Sequence, residues 1–292
     1  MAAEPWKHGP IDTFFLFGTG ICEGSWDPVR EAILDVDPRA PVHVASRHEV
    51  AAANEAANFW FADLVHKRRR MHAILARTPE DLERHSNLRG AAQIEQFRAN
   101  VRAKCEEFAE LDNALKESIV NRLKKAVASR SLRVRPQFRE IMRDERFRGS
   151  AWYATTNWDM AVETFFERDV GFPLNRVDHI HGSTGRPERI LLPSEVVEEP
   201  YRSAEQREVL IHSILPYVPL NWSRQICFYG LGLSVSDAEL AQTLEMGFEN
   251  HRLGPGTILI VNRKDQLEMI YRRLRRLCGD DWTIECVDVD AM

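Results

Sequence analysis

Polar side chains that could support chemistry follow a strand-like run at T-T-N-W-D (155–159). A helical pattern begins at Met160, so Asn157 and Asp159 fall at a strand-to-helix junction. Ligands of open α/β sheets bind at the carboxyl ends of the strands. A short polar side chain at such a position either caps the helix or belongs to a binding site. These residues alone leave both interpretations open for Asn157.

A second polar segment, H-I-H-G-S (179–183), contains two histidines one residue apart. In an extended chain His179 and His181 point to opposite faces, so they are a poor pair for one metal ion. No carboxylate or cysteine stands at helical spacing from them. A single histidine is more often a structural residue than a catalytic one, although its ordinary pKa suits a base at neutral pH.

Glycine-rich segments follow two further strand-like runs. Glycine lets the backbone approach a pyrophosphate closely, and the next helix presents free N–H groups to the anion. The first segment, F-G-T-G-I-C-E-G (17–24), departs by one residue from the usual G-x-G-x-x-G spacing, and a tight turn also explains it. Asn262, after T-I-L-I-V-N, either contacts a ribose or begins a helix. The glycine segments offer Gly18 and Gly20 in the first and Gly230, Gly232 and Ser234 in the second.

Alternating strands and helices position these segments. Unbroken apolar runs are typical of strands that are buried on both faces. Helical patterns follow several of the runs, which predicts an α/β fold with a Rossmann-like, doubly wound parallel sheet. The strand candidates are residues 13–17, 42–45, 151–156, 226–230, 257–262 and 283–289.

Residues 49–147 interrupt this alternation, because their alanine-rich and charged patterns are helical. Thr78, Pro79 and Asp81 form a helix-start signature within them. No Gly/Ser/Pro-rich spacer flanks the segment. We therefore predict a single domain over residues 1–292, with a Rossmann-like core (10–48 and 148–292) and a helical insertion (49–147).

The composition narrows the class of protein. The chain has 292 residues, is 44% hydrophobic and carries a formal net charge of −5, which argues against a generic nucleic-acid binder. The basic run H-K-R-R-R-M-H (66–72) is either a solvated helix face or a contact for an acidic partner or nucleic acid.

The five cysteines form no C-x-x-C pair, so no zinc site is expected. With no secretory signal and no apolar run of roughly 20 residues, we expect a cytoplasmic protein.

The order of these motifs resembles the sirtuin family. A glycine loop is followed by T-T-N-W-D, H-I-H-G-S, G-L-G-L-S and I-V-N-R. The chain is more similar still to the sirtuin-like bacterial NAD hydrolases of anti-phage defence, in which the strand end often reads T-T-N-x-D and the histidine motif H-x-H-G-S. The resemblance covers roughly residues 12–290, and the helical insertion contributes least to it.

The resemblance implies an enzyme that cleaves the nicotinamide–ribose bond of NAD, giving nicotinamide and ADP-ribose. NAD is then the substrate, and no metal is implied. Asn157 would position the attacking water beside the nicotinamide ribose. His181 would contact the ribose hydroxyls and act as base, and Asp159 would meet the carboxamide. The pyrophosphate would be lined by Gly18, Thr19 and Gly20, and the adenosine half by Gly230, Gly232, Ser234 and Asn262.

Two departures from the deacetylating sirtuins favour hydrolysis over deacylation. The glycine loop lacks the family's G-I-P-D-F-R continuation, and the four cysteines of the zinc ribbon are missing. The family arginine that helps to order the cofactor has no clear counterpart, and Glu23 and Arg30 are the candidates to replace it. The alternatives are a module that binds NAD or ADP-ribose without cleaving it, and a protein deacylase or ADP-ribosyltransferase.

Uncontrolled loss of NAD would kill the host, so the implied activity has to be gated. We expect a homo-oligomer that is controlled by a separate protein. A HerA-type ATPase and a short Argonaute are the precedents among the proteins that the chain resembles. Binding to membranes or directly to nucleic acid is not expected.

Overall fold

A computed structural model describes residues 11–86, 88–145, 149–171, 174, 177–193, 195, 204, 207–208, 217–233 and 238–292. Within them the strands are β1 (Ile11–Phe17), β2 (Cys22–Glu23), β3 (Arg133–Val134), β4 (Ala151–Thr155), β5 (Asp178–His179), β6 (Ser223–Tyr229), β7 (Thr257–Asn262) and β8 (Thr283–Asp288). The helices are α1 (Asp27–Val36), α2 (Val50–Leu75), α3 (Pro79–His85), α4 (Ala91–Ala128), α5 (Phe138–Arg143), α6 (Ala161–Phe165), α7 (Tyr217–Asn221), α8 (Ala238–Glu249) and α9 (Lys264–Cys278).

A six-stranded parallel sheet with the order β5-β4-β1-β6-β7-β8 forms the centre of the molecule. Counted along the chain, its strands follow the order 3-2-1-4-5-6 of doubly wound folds. The register places Phe15 of β1 between Tyr153 of β4 and Cys227 of β6. The topological switch point therefore lies between β1 and β6. The predicted Rossmann-like α/β class is confirmed.

Helices cover both faces of this sheet. Phe15 and Phe17 of β1 pack in one core with residues of α1, α2, α4, α5 and α6. Phe14 and Leu16 pack in a second core with residues of α7, α8 and α9. Successive side chains of a strand point to opposite faces, so both must be apolar when both faces are covered. This explains the unbroken apolar run at β1.

Helices α2 to α5 lie in the segment that was predicted to be helical. Thr78 caps α3 as expected, since its Oγ1 accepts the Asp81 N–H at 3.2 Å. Phe61 of α2 and Leu115 of α4 are buried in the core that contains Phe15, so these helices share a core with one face of the sheet. Among the described helices, none has an apolar stretch long enough to cross a membrane.

The predicted strand at residues 42–45 is wrong. These residues form an irregular segment between α1 and α2, in which Val42 is buried and the next three residues are exposed. Pro41 precedes them and has no N–H for a ladder of hydrogen bonds. The position beside β1 is taken by β4 instead.

Two short strand pairings were not predicted. β5 pairs with β4 through Asp178 and His179, neither of which is apolar. β2 pairs with β3 in an antiparallel two-residue ladder, which joins the first glycine loop to the chain that leaves α4. Strands of two residues are too short to show a hydrophobic period.

Candidate functional site

Two glycine loops touch at the topological switch point. The Gly18 N–H donates to the Tyr229 carbonyl and the Gly20 N–H donates to the Gly230 carbonyl, both at 2.9 Å. A Cβ on Gly18 would lie 2.5 Å from the Gly230 oxygen. Gly230 has a φ of +65°, and a Cβ there would overlap the backbone of Gly20. Glycine is required at these positions because the two backbones are in direct contact.

Two of the predicted cofactor contacts are open to solvent beside this junction. Thr19 and Gly232 are exposed, and a Cβ on Gly232 would meet no atom within 4 Å. By contrast, the N–H of Gly20 is already bonded to Gly230. A pyrophosphate at the first loop would therefore rely on other donors than this N–H in the observed conformation.

Asn157 joins the end of β4 to the first glycine loop. Its side chain is buried, with only 4% of the residue exposed, and its Nδ2 donates to the Gly18 carbonyl at 3.4 Å. Its own N–H donates to Thr155 Oγ1 at 3.0 Å. The Asn157 Oδ1 is buried and has no hydrogen-bond partner among the described residues. Buried polar atoms are normally paired, so this oxygen is suited to a donor from water or a ligand.

The two residues that follow Asn157 in the T-T-N-W-D segment have different neighbours. Asp159 is buried, and its Oδ1 accepts the Ala161 N–H at 2.9 Å at the start of α6. Burial raises the pKa of the Asp159 carboxyl, and this hydrogen bond opposes the rise only in part. The Trp158 indole packs edge-on against Phe61 of α2 and donates to the Leu191 carbonyl at 3.2 Å. Asp159, not Asn157, is thus the side chain that accepts a backbone N–H at this helix start.

His179 is a residue of the site that the sequence did not single out. Its Nδ1 lies 2.8 Å from the Asn157 carbonyl oxygen and its Nε2 lies 2.7 Å from Glu163 Oε1. Burial alone would lower the pKa of His179, but the hydrogen bond and negative charge of Glu163 outweigh it, and the pKa is raised. Both ring nitrogens face acceptors, so the protonated ring satisfies both. In the sequence, Glu163 follows Asp159 by about one helical turn, and no local pattern pairs Glu163 with His179.

His181 lies in the loop that follows β5, and it is half-buried. Its carbonyl accepts the Leu191 N–H at 2.9 Å. Gly182 has a φ of +80°, and a Cβ there would overlap the Arg189 carbonyl, so the glycine of H-G-S is structurally required. The Thr184 N–H donates to the Trp158 carbonyl at 2.7 Å. These bonds fix the histidine loop against the T-T-N-W-D segment.

The second glycine loop is held by β7 and α9. Asn262 Nδ2 donates to the Leu231 carbonyl at 3.1 Å, and Arg273 donates to the Leu233 carbonyl. Leu233 has a φ of +47°, a left-handed conformation that is uncommon for residues other than glycine and is often found at ligand sites. Ser234, another predicted contact, lies outside the described residues.

Arg135 holds backbone carbonyls of the first glycine loop. Its Nε donates to the Gly20 carbonyl at 3.0 Å, and its N–H donates to the Ile21 carbonyl at 2.8 Å. The two residues suggested from the sequence have other partners, since Glu23 pairs with Arg133 and Arg30 bonds to Asp27 and Asn54. Arg135 reaches the loop through the β2–β3 ladder, a pairing that its sequence position does not reveal.

Cys22 is buried beside these groups. Burial, and then the negative charge of Asp159, raise the pKa of its thiol well above the ordinary value. A buried, protonated thiol is not a nucleophile. Within the described part of the chain, no group of three or more His, Cys, Asp or Glu side chains is arranged to hold a metal ion.

No protein-family model, no curated protein and no solved structure matches this chain. The resemblance to sirtuins is therefore based on the motifs quoted above. The strand order of the sheet agrees with a dinucleotide-binding fold, and the activity that the resemblance implies is a proposal.

Proposed function

We propose that the protein hydrolyses NAD and releases nicotinamide and ADP-ribose. The observation that carries the proposal is the position of Asn157, at a strand end that contacts the first glycine loop where that loop meets the second. This meeting point is the topological switch point, where dinucleotides bind in doubly wound folds. The unpartnered Oδ1 of Asn157 supports the proposal because it can accept a hydrogen bond from water or from a ribose hydroxyl.

The proposed reaction transfers the ribose from nicotinamide to water. A water oxygen forms a bond to ribose C1′, and the electron pair of the C1′–N bond passes to the pyridinium ring. Nicotinamide leaves as a neutral molecule, so no strong acid is needed. The transition state resembles an oxocarbenium ion, as in other glycosidic cleavages. The protein therefore has to orient the ribose and one water molecule, which an amide and an imidazole can do.

His181 is the base in this proposal, as the resemblance to the sirtuin-like hydrolases implies. Both ring nitrogens of His179 face acceptors. His181 would take the proton that the attacking water loses. His179 and Glu163 are positioning residues. They hold the backbone carbonyl of Asn157, and through it the amide side chain that contacts Gly18.

The remaining contacts to NAD are proposed around the same junction. Arg135 brings a positive charge to the first glycine loop, where a pyrophosphate would be favoured. The carboxamide would meet Asp159. Gly18, Thr19 and Gly20 would lie along the pyrophosphate, and Gly230, Gly232, Ser234 and Asn262 along the adenosine half.

The proposal includes control of the activity, because NAD is essential to the cell that makes the protein. We propose a homo-oligomer in the cytoplasm that a partner protein regulates, with a HerA-type ATPase or a short Argonaute as the precedents. Size-exclusion chromatography with light scattering tests the first part. A purified chain that is monomeric and fully active would contradict it.

The test of the activity compares purified wild type with Asn157→Ala and His181→Ala. Each protein is incubated with NAD at several protein concentrations, and nicotinamide is measured by chromatography. We expect wild type to release nicotinamide and each variant to lose at least about a hundredfold in rate, the typical contribution of a positioned base or orienting group. Asn121→Ala, an exposed asparagine on α4, is the matched control and should keep full activity.

Circular dichroism and thermal unfolding establish whether the variants fold. Wild-type turnover in both folded variants would contradict the assignment of the site. Tight binding of NAD by wild type at all concentrations, with no nicotinamide released, would favour the binding module instead. Consumption of NAD only in the presence of an acylated lysine peptide would favour a deacylase.

A further inference from the structure

An arginine-lined groove lies between the end of α4, the β3 strand and helices α5 and α6. Its volume is about 440 Å³, within the roughly 300–1,000 Å³ of small-molecule sites. The apolar part of its lining includes Val127, Leu132 and Phe165, and its charged part contains five arginines against two carboxylates. The five are Arg130, Arg133, Arg139, Arg143 and Arg168.

Most of this positive charge is not neutralised. Arg133 pairs with Glu23 and Arg143 pairs with Glu140. The other three arginines have no carboxylate partner among the described residues. Arg139 donates to the Asp169 carbonyl at 3.1 Å, and its guanidinium lies 5.8 Å from the centre of the Phe165 ring. In a chain with a net charge of −5, this is a local concentration of positive charge.

The backbone of Arg130 is a second, independent observation. Arg130 has a φ of +62° just beyond the end of α4, where helices usually place glycine or asparagine. A left-handed conformation is unfavourable for a residue with a Cβ. Such strained residues cluster at ligand sites, where the side chain is needed in one position. The left-handed backbone of Arg130 therefore supports a ligand-binding role for its side chain, which lines the groove.

We infer that this groove binds a phosphorylated small molecule of nucleotide size. The planar guanidinium group presents several N–H donors in a geometry that matches phosphate oxygens. The apolar lining at Val127, Leu132 and Phe165 accepts the uncharged part of the same molecule. The volume of the groove fits a single nucleotide better than a nucleic-acid strand. The negative net charge of the chain also disfavours the binding of such a strand.

The groove is connected to the candidate active site through β3. Arg133, which lines the groove, forms an ion pair with Glu23 at 2.9 Å. The same ladder continues to Arg135, which holds the Gly20 and Ile21 carbonyls. A phosphate that draws Arg133 from Glu23 changes the support of the first glycine loop. The ligand of the groove therefore regulates NAD cleavage, and this second step rests on the proposed function.

Isothermal titration calorimetry with ATP and with inorganic tripolyphosphate tests the binding site. The double variant Arg130→Ala/Arg168→Ala is compared with wild type, with Arg276→Ala as an exposed arginine outside the groove, and with Asn157→Ala. We expect binding by wild type and a loss of about tenfold or more in the double variant, as for a charged hydrogen bond. Arg276→Ala and Asn157→Ala should bind as wild type does, and a loss of ATP binding that is confined to the double variant distinguishes the groove from the NAD site.

The two probes identify the part of the ligand that is recognised. Tighter binding of ATP supports a nucleotide, and equal binding supports recognition through the phosphates alone. Absence of binding by both probes overturns the inference. So does an equal loss in Arg276→Ala and the double variant, or a short single-stranded oligonucleotide that binds more tightly than ATP.

The regulatory step is tested by the NAD assay with and without ATP. We expect ATP to change the rate of nicotinamide release by wild type and to leave the double variant unaffected. An unchanged wild-type rate overturns the regulatory step while the binding result stands. If calorimetry shows that the groove binds ATP but no sample cleaves NAD, the proposed function is contradicted while the binding site in the groove is still supported.

Discussion

At the scale of single residues, the candidate site depends on one chain of hydrogen bonds. Glu163 bonds to His179, His179 bonds to the Asn157 carbonyl, and the Asn157 amide bonds to Gly18. The charged pair of Glu163 and His179 is mostly buried, where electrostatic interactions are stronger than in water. The backbone of Asn157 is therefore held by His179, while its side-chain Oδ1 can accept a hydrogen bond from a ligand or water.

The His179–Glu163 pair predicts how stability depends on pH. The pKa of His179 is raised in the folded protein. The stability that this histidine contributes is therefore fully present below its pKa in the unfolded chain, about 6.5, and is lost as the pH rises through its pKa in the folded protein. We expect the difference in unfolding free energy between wild type and His179→Gln to shrink from mildly acidic to alkaline pH. Urea unfolding at a series of pH values measures this difference.

Glu163→Gln is the matched control for that experiment. It keeps the size of the side chain and removes the negative charge that raises the pKa of His179. In this background, the substitution of His179 should have a weaker pH dependence. A stability difference that is the same at every pH would show that His179 is not protonated on folding.

Gly230→Ala tests the contact between the two glycine loops. The new Cβ would overlap the Gly20 backbone and the residue would keep a left-handed φ, so both steric overlap and strain destabilise the fold. We expect a loss of about 2 kcal/mol or more in urea unfolding. Gly232→Ala is the matched control, since its Cβ meets no atom, and it should change stability by less than about 1 kcal/mol. Equal stability of the two variants would contradict the contact.

The sequence located the T-T-N-W-D junction but not the partners of its residues. Asn157 and Asp159 were predictable at a strand end because an apolar run stops at Thr155 and a helix follows. The contact of His179 with Asn157 depends on the register between β4 and β5. No local pattern encodes that register in a two-residue strand, so the sequence predicted a role for His181 and none for His179.

At the scale of elements, a buried cluster of charges ties the long helices to the histidine loop. Arg68 of α2 bonds to Asp112 of α4 at 3.1 Å and to Glu195, which follows the loop. Lys116 of α4 lies 2.9 Å from Asp112 and 3.2 Å from Glu195. The basic run 66–72 is thus not a uniformly solvated face, because Arg68 points into this cluster.

Glu195→Ala should destabilise the protein by about 3–5 kcal/mol, because it leaves two buried cations to share the single carboxylate of Asp112. Glu31→Ala is the matched control, since Glu31 forms an exposed ion pair with Arg122 and should contribute less than about 1 kcal/mol. Urea unfolding at neutral pH measures both. Similar small losses in the two variants would contradict a closed, buried cluster.

The same cluster adds sensitivity to acid. Burial alone would raise the pKa of Glu195, but the positive charges of Lys116 and Arg68 outweigh it and lower the pKa. A carboxyl whose pKa is lowered by folding stabilises the protein at pH values above its pKa in the unfolded chain. This stabilisation is lost as the pH falls through its pKa in the folded protein. In Glu195→Ala this part of the acid sensitivity should be absent.

Long apolar runs predicted the elements well, and short or proline-flanked runs did not. β1, β6 and β7 each bury most of their side chains, so their apolar runs are continuous and their positions were predicted. The run at 42–45 has the composition of a strand but follows Pro41 and buries only Val42. Its conformation was decided by tertiary packing, which places β4 beside β1.

At the scale of the whole molecule, described residues of the segment between β1 and β4 contact the candidate site from several directions. Phe61 packs on Trp158, Arg68 bonds to Glu195, and Arg135 holds the first glycine loop. In our proposal a signal that shifts these helices, whether from a partner protein or from a ligand in the arginine-lined groove, reaches the glycine loop directly. Neither the order of motifs nor the composition predicted these connections, because each joins residues far apart in the chain.

The most direct test of the central claim is NAD cleavage in ¹⁸O-labelled water, with nicotinamide and ADP-ribose measured by mass spectrometry. Our account predicts equal amounts of nicotinamide and free ADP-ribose, one ¹⁸O atom at ribose C1′, and no product from Asn157→Ala. Intact NAD after incubation with wild type under all conditions, or ADP-ribose attached to protein instead of water, would contradict it.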